Sequence, residues 1–371
     1  MALSAQWNRP AIEWNRLTQG NVAVGFLDTL LRGTGQVMFQ NNPITGALFL
    51  VGIFINSWQL GVAGVIGLLS STLAAIILGA DRALIRVGLF GYNGILTGIG
   101  LAFFLQLDGV LIGYIVLGGV LSTVVMMALA NLFSTRDMPA LTAPFVLTTW
   151  LLLFAVYLFA HLHATALIQP SPLNPQASVQ TDLRPLVTGG VGAGVTAGNL
   201  AEGFFRGVGE VFFQDNLWTG LIFLVAILVN SPISAIFAAL GSIVGIITAM
   251  VFFGGNGFWV YHGLYGFNSV LCAIAIGGIF YVLTWKSALY ALLCALVGAV
   301  VMASISVLLT PLGMPALTAP FVLTTWLFLL PKAGFRALQP VPLAEVAAPE
   351  QVRRKFLEKQ RRQAAAPALQ Q

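Results

Sequence analysis

Charge is what this sequence has least of. Of its 371 residues only 8% are Asp, Glu, Lys or Arg, against roughly 25% in a soluble domain, too few to coat a water-facing globule. Cysteine is nearly absent. Cys272 and Cys294 both sit in apolar stretches, cannot form a disulfide framework, and read as small buried hydrophobes. The histidines are His161, His163 and His262 alone. With no clustered ligand set, neither a metal nor any cofactor is expected. There is no GxxxxGK[ST] segment, hence no sign of nucleotide-driven work, and no Ser-His-Asp spacing picks out a catalytic set, so no enzyme is expected. The N-terminus, MALSAQWNRPAIEWNR, lacks a basic-then-apolar leader with a cleavage site, and insertion is expected to rely on an uncleaved first span.

What fills the chain instead is apolar. Hydrophobic residues make up 58% and mean hydropathy is +0.91. Runs near 20 residues favour helical spans over a porin-like barrel, whose strands alternate in segments of about 10. A multi-spanning, all-α membrane protein follows. The net charge of +5 is concentrated in the tail, where Arg353, Arg354, Lys355, Lys359, Arg361 and Arg362 stand against Glu350 and Glu358. A basic cluster soon after a last span is a cytoplasmic topology signal, with some attraction to anionic lipid headgroups; nucleic acid is not an expected partner.

The chain is written twice. Residues 32–57, RGTGQVMFQNNPITGALFLVGIFINS, match 206–231, RGVGEVFFQDNLWTGLIFLVAILVNS, without a gap; GLFGYNGILTGIGL at 88–101 matches GLYGFNSVLCAIAI at 263–276; MPALTAPFVLTTWL at 138–151 recurs unchanged at 314–327. The offset drifts only from 174 to 176 residues, the mark of a duplicated unit. The first repeat, 22–163, holds six apolar segments near 22–40, 44–60, 62–80, 84–105, 108–131 and 145–163; the second, 196–332, mirrors them. Residues 1–21 form an N-terminal segment read as cytoplasmic, 164–195 a Pro-rich linker whose single basic residue, Arg184, places it outside, and 333–371 a basic cytoplasmic tail. A linker outside and a tail inside require an odd number of crossings per repeat. Five spans plus one re-entrant half-helix satisfy this, with the halves inverted about an axis in the membrane plane and a central pore per protomer. Either GLFGYNGILTG or RGTGQVMFQNNP is the broken element, and broken backbone at membrane depth belongs at a pore. On this count Arg136, Lys286, Lys332 and Arg336 fall inside, and Arg82 and Arg86 fall outside.

Intramembrane polar groups are the candidates for function. Asp28 with Arg32, and Glu202 with Arg206, are four apart in both copies and read as structural helical ion pairs. Gln36 and Glu210 are repeat equivalents, each followed by valine (Val37, Val211) and by phenylalanine three positions on (Phe39, Phe213); their shared property is an oxygen offered to a polar solute. Tyr92 and Phe267 are equivalent, with Leu96 and Leu271 four residues later on the same helical face. Thr142 and Thr318 lie between prolines, where the backbone is not regular helix.

The duplicated MPALTAPFVLTTW resembles the LPxxTxPF signature of the urea transporter family, with Met138 and Met314 in place of leucine. GYNG, GFNS and GQVMFQ/GEVFFQ fit the same family, bacterial type, over about residues 27–332. The resemblance implies urea as substrate, channel-type facilitated diffusion, a homotrimer with one pore per protomer, and a multi-pass location in a bacterial inner membrane with both termini cytoplasmic. It also implies a phenylalanine-walled, oxygen-lined filter. Gln36, Val37, Phe39 and Glu210, Val211, Phe213 would flank its two ends, Tyr92, Leu96, Phe267 and Leu271 complete the walls, and Thr142 and Thr318 line the middle. Tyr92 departs from the usual phenylalanine. The alternatives are a proton-coupled carrier using Glu210, and an ammonia or water channel. For water, the nearest approach to paired Asn-Pro-Ala is Asn42-Pro43-Ile44 and Asn174-Pro175-Gln176.

Overall fold

A computed structural model describes Trp14 and residues 17–165, 196–253 and 257–365. The linker beyond residue 165 and most of the N-terminal segment lie outside the described residues. The first repeat forms α1 (Val22–Gln36), α2 (Pro43–Asn56), α3 (Trp58–Ile77), α4 (Gly91–Phe104), α5 (Gly109–Phe133) and α6 (Ala143–Val156). The second forms α7 (Ala197–Gly209), α8 (Leu217–Asn230), α9 (Pro232–Phe253), α10 (Gly266–Ile274), α11 (Trp285–Leu309) and α12 (Ala319–Leu329); the basic tail folds as α13 (Pro349–Ala365). The described residues contain no strand, only isolated bridges at Leu105–Ala164 and Tyr281–Pro340, which are themselves repeat equivalents.

Local chemistry sets the boundaries. Asn42 accepts from the Ile44 amide at 2.8 Å and Pro43 opens α2, while Asn216 does the same service for α8 through Thr219. Asp108 caps α5 through Leu111, and Thr284 with Ser287 builds a capping box on α11. Residues 78–90, read from the sequence as parts of two spans, instead make a turn and the short helix Arg82–Arg86. The cause is local: Asp81 caps this helix at the Ala83 amide, and Gly79 and Gly88 bracket it with φ of 72° and 78°.

Among the described residues four helices, α3, α5, α9 and α11, are long and apolar enough to cross a membrane. α2, α4 and α6 have 14 residues each, about 21 Å of rise against a hydrocarbon core of about 30 Å. α7 and α8 are bent by 73° at their break. In the absence of a hydrophobic drive inside lipid, close approach of small residues holds such helices together: Gly94 of α4 is pressed against the Gly67 carbonyl and the Ser71 side chain of α3, with no room for a β carbon.

The two repeats clasp reciprocally. Thr45 of α2 donates to the Ala226 carbonyl of α8 at 2.8 Å, and its equivalent Thr219 donates to the Gly52 carbonyl of α2 at 3.0 Å. Phe49, Phe212 and Phe223 cluster at this crossing, tilted or edge-on to one another, with centroids 4.9–5.3 Å apart. The drift in repeat offset has a structural counterpart as well. A π-helical turn, Ala275–Ile279, follows α10 where α4 runs on as regular helix, and it absorbs one extra residue around Gly277 and Gly278.

Candidate functional site

The two copies of MPALTAPF meet at the centre of the molecule. In each, the chain turns through a left-handed leucine, Leu141 (φ 54°) and Leu317 (φ 51°), and then starts a helix at threonine. Thr142 and Thr318 sit at the N-caps of α6 and α12, yet neither side chain bonds its own helix. Their Oγ1 atoms lie 2.6 Å apart, buried at 2% and 3% exposure, in a hydrogen bond that joins the repeats. Other buried polar groups hold this arrangement. Asn93 Oδ1 accepts from the Phe145 amide at 3.1 Å and Asn268 Oδ1 from the Phe321 amide at 3.0 Å, filling donors that a helix start leaves unpaired. Trp150 Nε1 donates across to the Pro315 carbonyl at 2.8 Å and Trp326 Nε1 to the Pro139 carbonyl at 2.9 Å. Asn93→Leu or Asn268→Leu strands a buried amide and is expected to cost about 1–3 kcal/mol, read as a lowered melting temperature in detergent.

Phe39 and Phe213 project from the breaks after α1 and α7, each with a left-handed backbone (φ 63° and 61°). Each turns its ring onto the other repeat. Phe39 lies 5.7 Å from Phe280 and 6.1 Å from Phe321; Phe213 lies 5.4 Å from Phe103, 6.0 Å from Phe104 and 6.1 Å from Phe145. Two aromatic clusters therefore flank the threonine pair in symmetric fashion. Tyr92 is buried and donates to the Leu141 carbonyl at 2.6 Å. Phe267, its equivalent, has no hydroxyl, and the Leu317 carbonyl accepts from Asn268 Nδ2 at 3.3 Å instead. Val37, Val211, Leu96 and Leu271 are packed into the apolar core.

Gln36 and Glu210 end up unlike each other. Gln36 is half-buried and donates through Nε2 to the Val87 carbonyl at 2.9 Å. At the equivalent position no hydrogen bond reaches the Glu210 side chain among the described residues. Around Glu210 the second repeat assembles charge. Arg206 contacts Glu202 at 2.7 Å, the Asp215 carboxylate, and the Tyr261 hydroxyl at 2.9 Å, with its guanidinium 4.2 Å from the Tyr261 ring centroid; His262 Nδ1 contacts Asp215. The first repeat keeps the Arg32–Asp28 pair at 2.7 Å, but Asn41 and Val87 stand where Asp215 and His262 do, and Arg32 bonds the Asn41 side-chain oxygen at 2.9 Å. Both helical ion pairs expected from the four-residue spacing are formed.

The structure adds groups that the sequence reading passed over. Phe145 and Phe321 carry a plain signal, since they close the duplicated MPALTAPF itself. Phe104 and Phe280 were hidden by the π turn, which shifts the register between them. Asn93 and Asn268 lie in GYNG and GFNS, each directly after the aromatic residue Tyr92 or Phe267. Among the described residues, no group of three or more His, Cys, Asp or Glu side chains is arranged to hold a metal.

The urea transporter family model matches residues 27–333. The chain is 36% identical over 351 residues to Urea transporter 1 of Rattus norvegicus, covering 94% of this chain and 88% of that protein. It is 35% identical over 350 residues to Urea transporter 1 of Ovis aries, covering 93% and 87%. Urea transporter 1 of Mus musculus is similar at 36% over 356 residues, 95% of this chain and 89% of that protein.

Proposed function

Because this chain belongs to the urea transporter family, a multi-pass membrane protein that transports urea and is not an enzyme, we propose that it works as a passive channel whose filter lies between its two repeats. The observation that carries this reading is the buried Thr142–Thr318 contact between two interrupted helices, with Phe39 and Phe213 clusters on either side. Urea is flat, with N–H donors along its edges. Aromatic faces suit its plane, and hydroxyl and carbonyl oxygens replace its waters. An amide left unpaired in an apolar passage costs roughly 2–7 kcal/mol, so oxygens at successive stations lower the barrier while each binds weakly enough for exit. Gln36 and Glu210 serve the two ends, Val37 and Val211 back them, Tyr92, Leu96, Phe267 and Leu271 support the walls, and the threonines form the middle. An ion keeps a far larger desolvation cost and is refused.

Inverted repeats are part of the same reading, and the contacts support them. The loop after α5, the loops flanking α11's start, and the tail converge: Lys332 Nζ and the Leu343 amide bond Asp137, Val282 bonds the Gln339 carbonyl, and Glu350 accepts from Ser231 and Ile233 at the start of α9. The end of α4 and the segment after α6 converge elsewhere, with the Thr165 amide on the Phe104 carbonyl. Reading α1 and α7 as the elements that do not cross gives five crossings per repeat. RGTGQVMFQNNP is then the broken segment of the first repeat. Arg82 and Arg86, expected outside from the sequence, lie on the tail side in this arrangement with Arg136, Lys286, Lys332, Arg336 and α13, the distribution of a cytoplasmic face with both termini inside. The homotrimer implied by the family resemblance completes the reading.

Urea flux through purified protein in liposomes tests it. Flux should run down the urea gradient, ignore membrane potential and need no pH difference. Uphill accumulation driven by a proton or sodium gradient would overturn the channel in favour of a carrier.

A further inference from the structure

A groove of about 590 Å³ lies outside the candidate filter, between the first turns of α11 and residues 334–338. Leu289, Leu293, Tyr290 and Phe335 form its apolar lining, and Lys286 and Arg336 stand on it. Both cations are exposed, and neither has a carboxylate partner among the described residues; Lys286 lies 5.6 Å from the ring of Trp285, itself 70% exposed at the start of a membrane-length helix. The neighbouring Lys332, by contrast, is paired with Asp137 at 3.1 Å.

The duplication supplies an internal control. The groove's aromatic residues recur in the first repeat, where Tyr114 donates to the Leu152 carbonyl at 2.8 Å just as Tyr290 donates to the Phe328 carbonyl at 2.9 Å. The aromatic pair is kept too: Tyr114–Phe159 centroids are 6.2 Å apart and Tyr290–Phe335 centroids 6.0 Å. At the offset of 176, however, Lys286 corresponds to Val110 and Arg336 to Ala160. The aromatic pair was copied with the fold; the two cations belong to one copy, the one beside the tail.

The geometry points to a binding site for an anionic phospholipid in the groove of Lys286, Tyr290, Phe335 and Arg336, the phosphate held by the two cations and an acyl chain laid on Leu289 and Leu293. Charge complementarity selects the headgroup: two exposed cations without a carboxylate partner, Lys286 at the start of α11 and Arg336 in the segment packed beside it, attract phosphate in the leaflet they face, and the long apolar stems let them do so while the lining stays dry. The exposed leucines, 58% and 50%, face outward along the helix, as an acyl chain requires. A second copy of this chain on the same groove would need acidic groups opposite both cations.

The test uses the full-length protein in detergent, with dioleoyl phosphatidylglycerol or dioleoyl phosphatidylcholine added and bound lipid counted by native mass spectrometry. The wild type should retain phosphatidylglycerol in preference to phosphatidylcholine. Lys286→Gln with Arg336→Gln should weaken that retention roughly 10- to 30-fold. Arg361→Gln with Arg362→Gln, on α13 and away from the groove, should leave it within about 2-fold. Both pairs should keep wild-type urea flux, which separates this site from the filter. Unchanged phosphatidylglycerol retention in the groove variant, or equal retention of the two lipids by the wild type, overturns the proposal. So does efficient bismaleimide cross-linking of Leu289→Cys between protomers, which would make the groove a protein interface.

Discussion

Thr142→Val combined with Thr318→Val should slow urea flux about 10- to 100-fold, the loss expected if the proposed passage runs between these hydroxyls and forfeits its hydrogen-bond partners there. Valine keeps the volume of threonine, so no cavity opens and no ring needs to move. In the resting structure the two hydroxyls satisfy each other at 2.6 Å, and a solute passing between them exchanges that bond for bonds to its own N–H groups. The exchange explains why the double variant should fold: removing both partners of a hydrogen bond is far less damaging than stranding one. Each single variant strands one hydroxyl and should show lower thermal stability than the double, while slowing flux less. Stopped-flow efflux from liposomes at matched protein density, with melting curves of the same three proteins, reads both quantities. Wild-type flux in the double variant would reduce the pair to a structural clasp between repeats.

Much of the fold was legible because duplication turns one sequence into two readings of the same problem. A polar residue that recurs at the same register, such as Thr142 with Thr318 or Asp28 with Glu202, is marked without any structure. Spacing alone then predicted the Arg32–Asp28 and Arg206–Glu202 pairs, since residues four apart share a helical face. What remained hidden depended on backbone. The left-handed conformations of Phe39, Phe213, Leu141 and Leu317 carry no compositional signal, because none of these residues is the glycine or asparagine that usually advertises positive φ. The pairing of Phe39 with Phe321 and of Phe213 with Phe145 joins positions more than sixty residues apart and on opposite repeats, which periodicity does not reach. Residues 78–90 were apolar enough to pass for the ends of spans, and only the caps at Asp81 and the left-handed Gly88 divide them. On the proposed topology, with α1 not crossing, Arg82 and Arg86 lie on the tail side of the membrane.

The asymmetry between the two ends yields the sharpest expectation. Gln36 is tied by its amide to the Val87 carbonyl, which leaves its oxygen free to face a solute. The carbonyl of His262 is the equivalent acceptor in the second repeat, and among the described residues no hydrogen bond from Glu210 reaches it. Glu210→Gln supplies the missing donor, restores the first repeat's arrangement and keeps one oxygen at the station, so urea flux should stay within about 2-fold of wild type. Glu210→Leu removes the side-chain acceptor altogether and should lower flux about 10-fold. His262→Val, which copies Val87, separates the contribution of the neighbouring Asp215–His262 contact from that of Glu210 itself. Measured across about pH 5 to 8, the glutamine variant should keep its near-wild-type flux throughout. A proton-coupled carrier makes the opposite forecast. If Glu210 carried the proton, glutamine would abolish transport as fully as leucine does. Equal loss in the two variants, at equal insertion, therefore ends the oxygen-station reading and restores the coupled carrier.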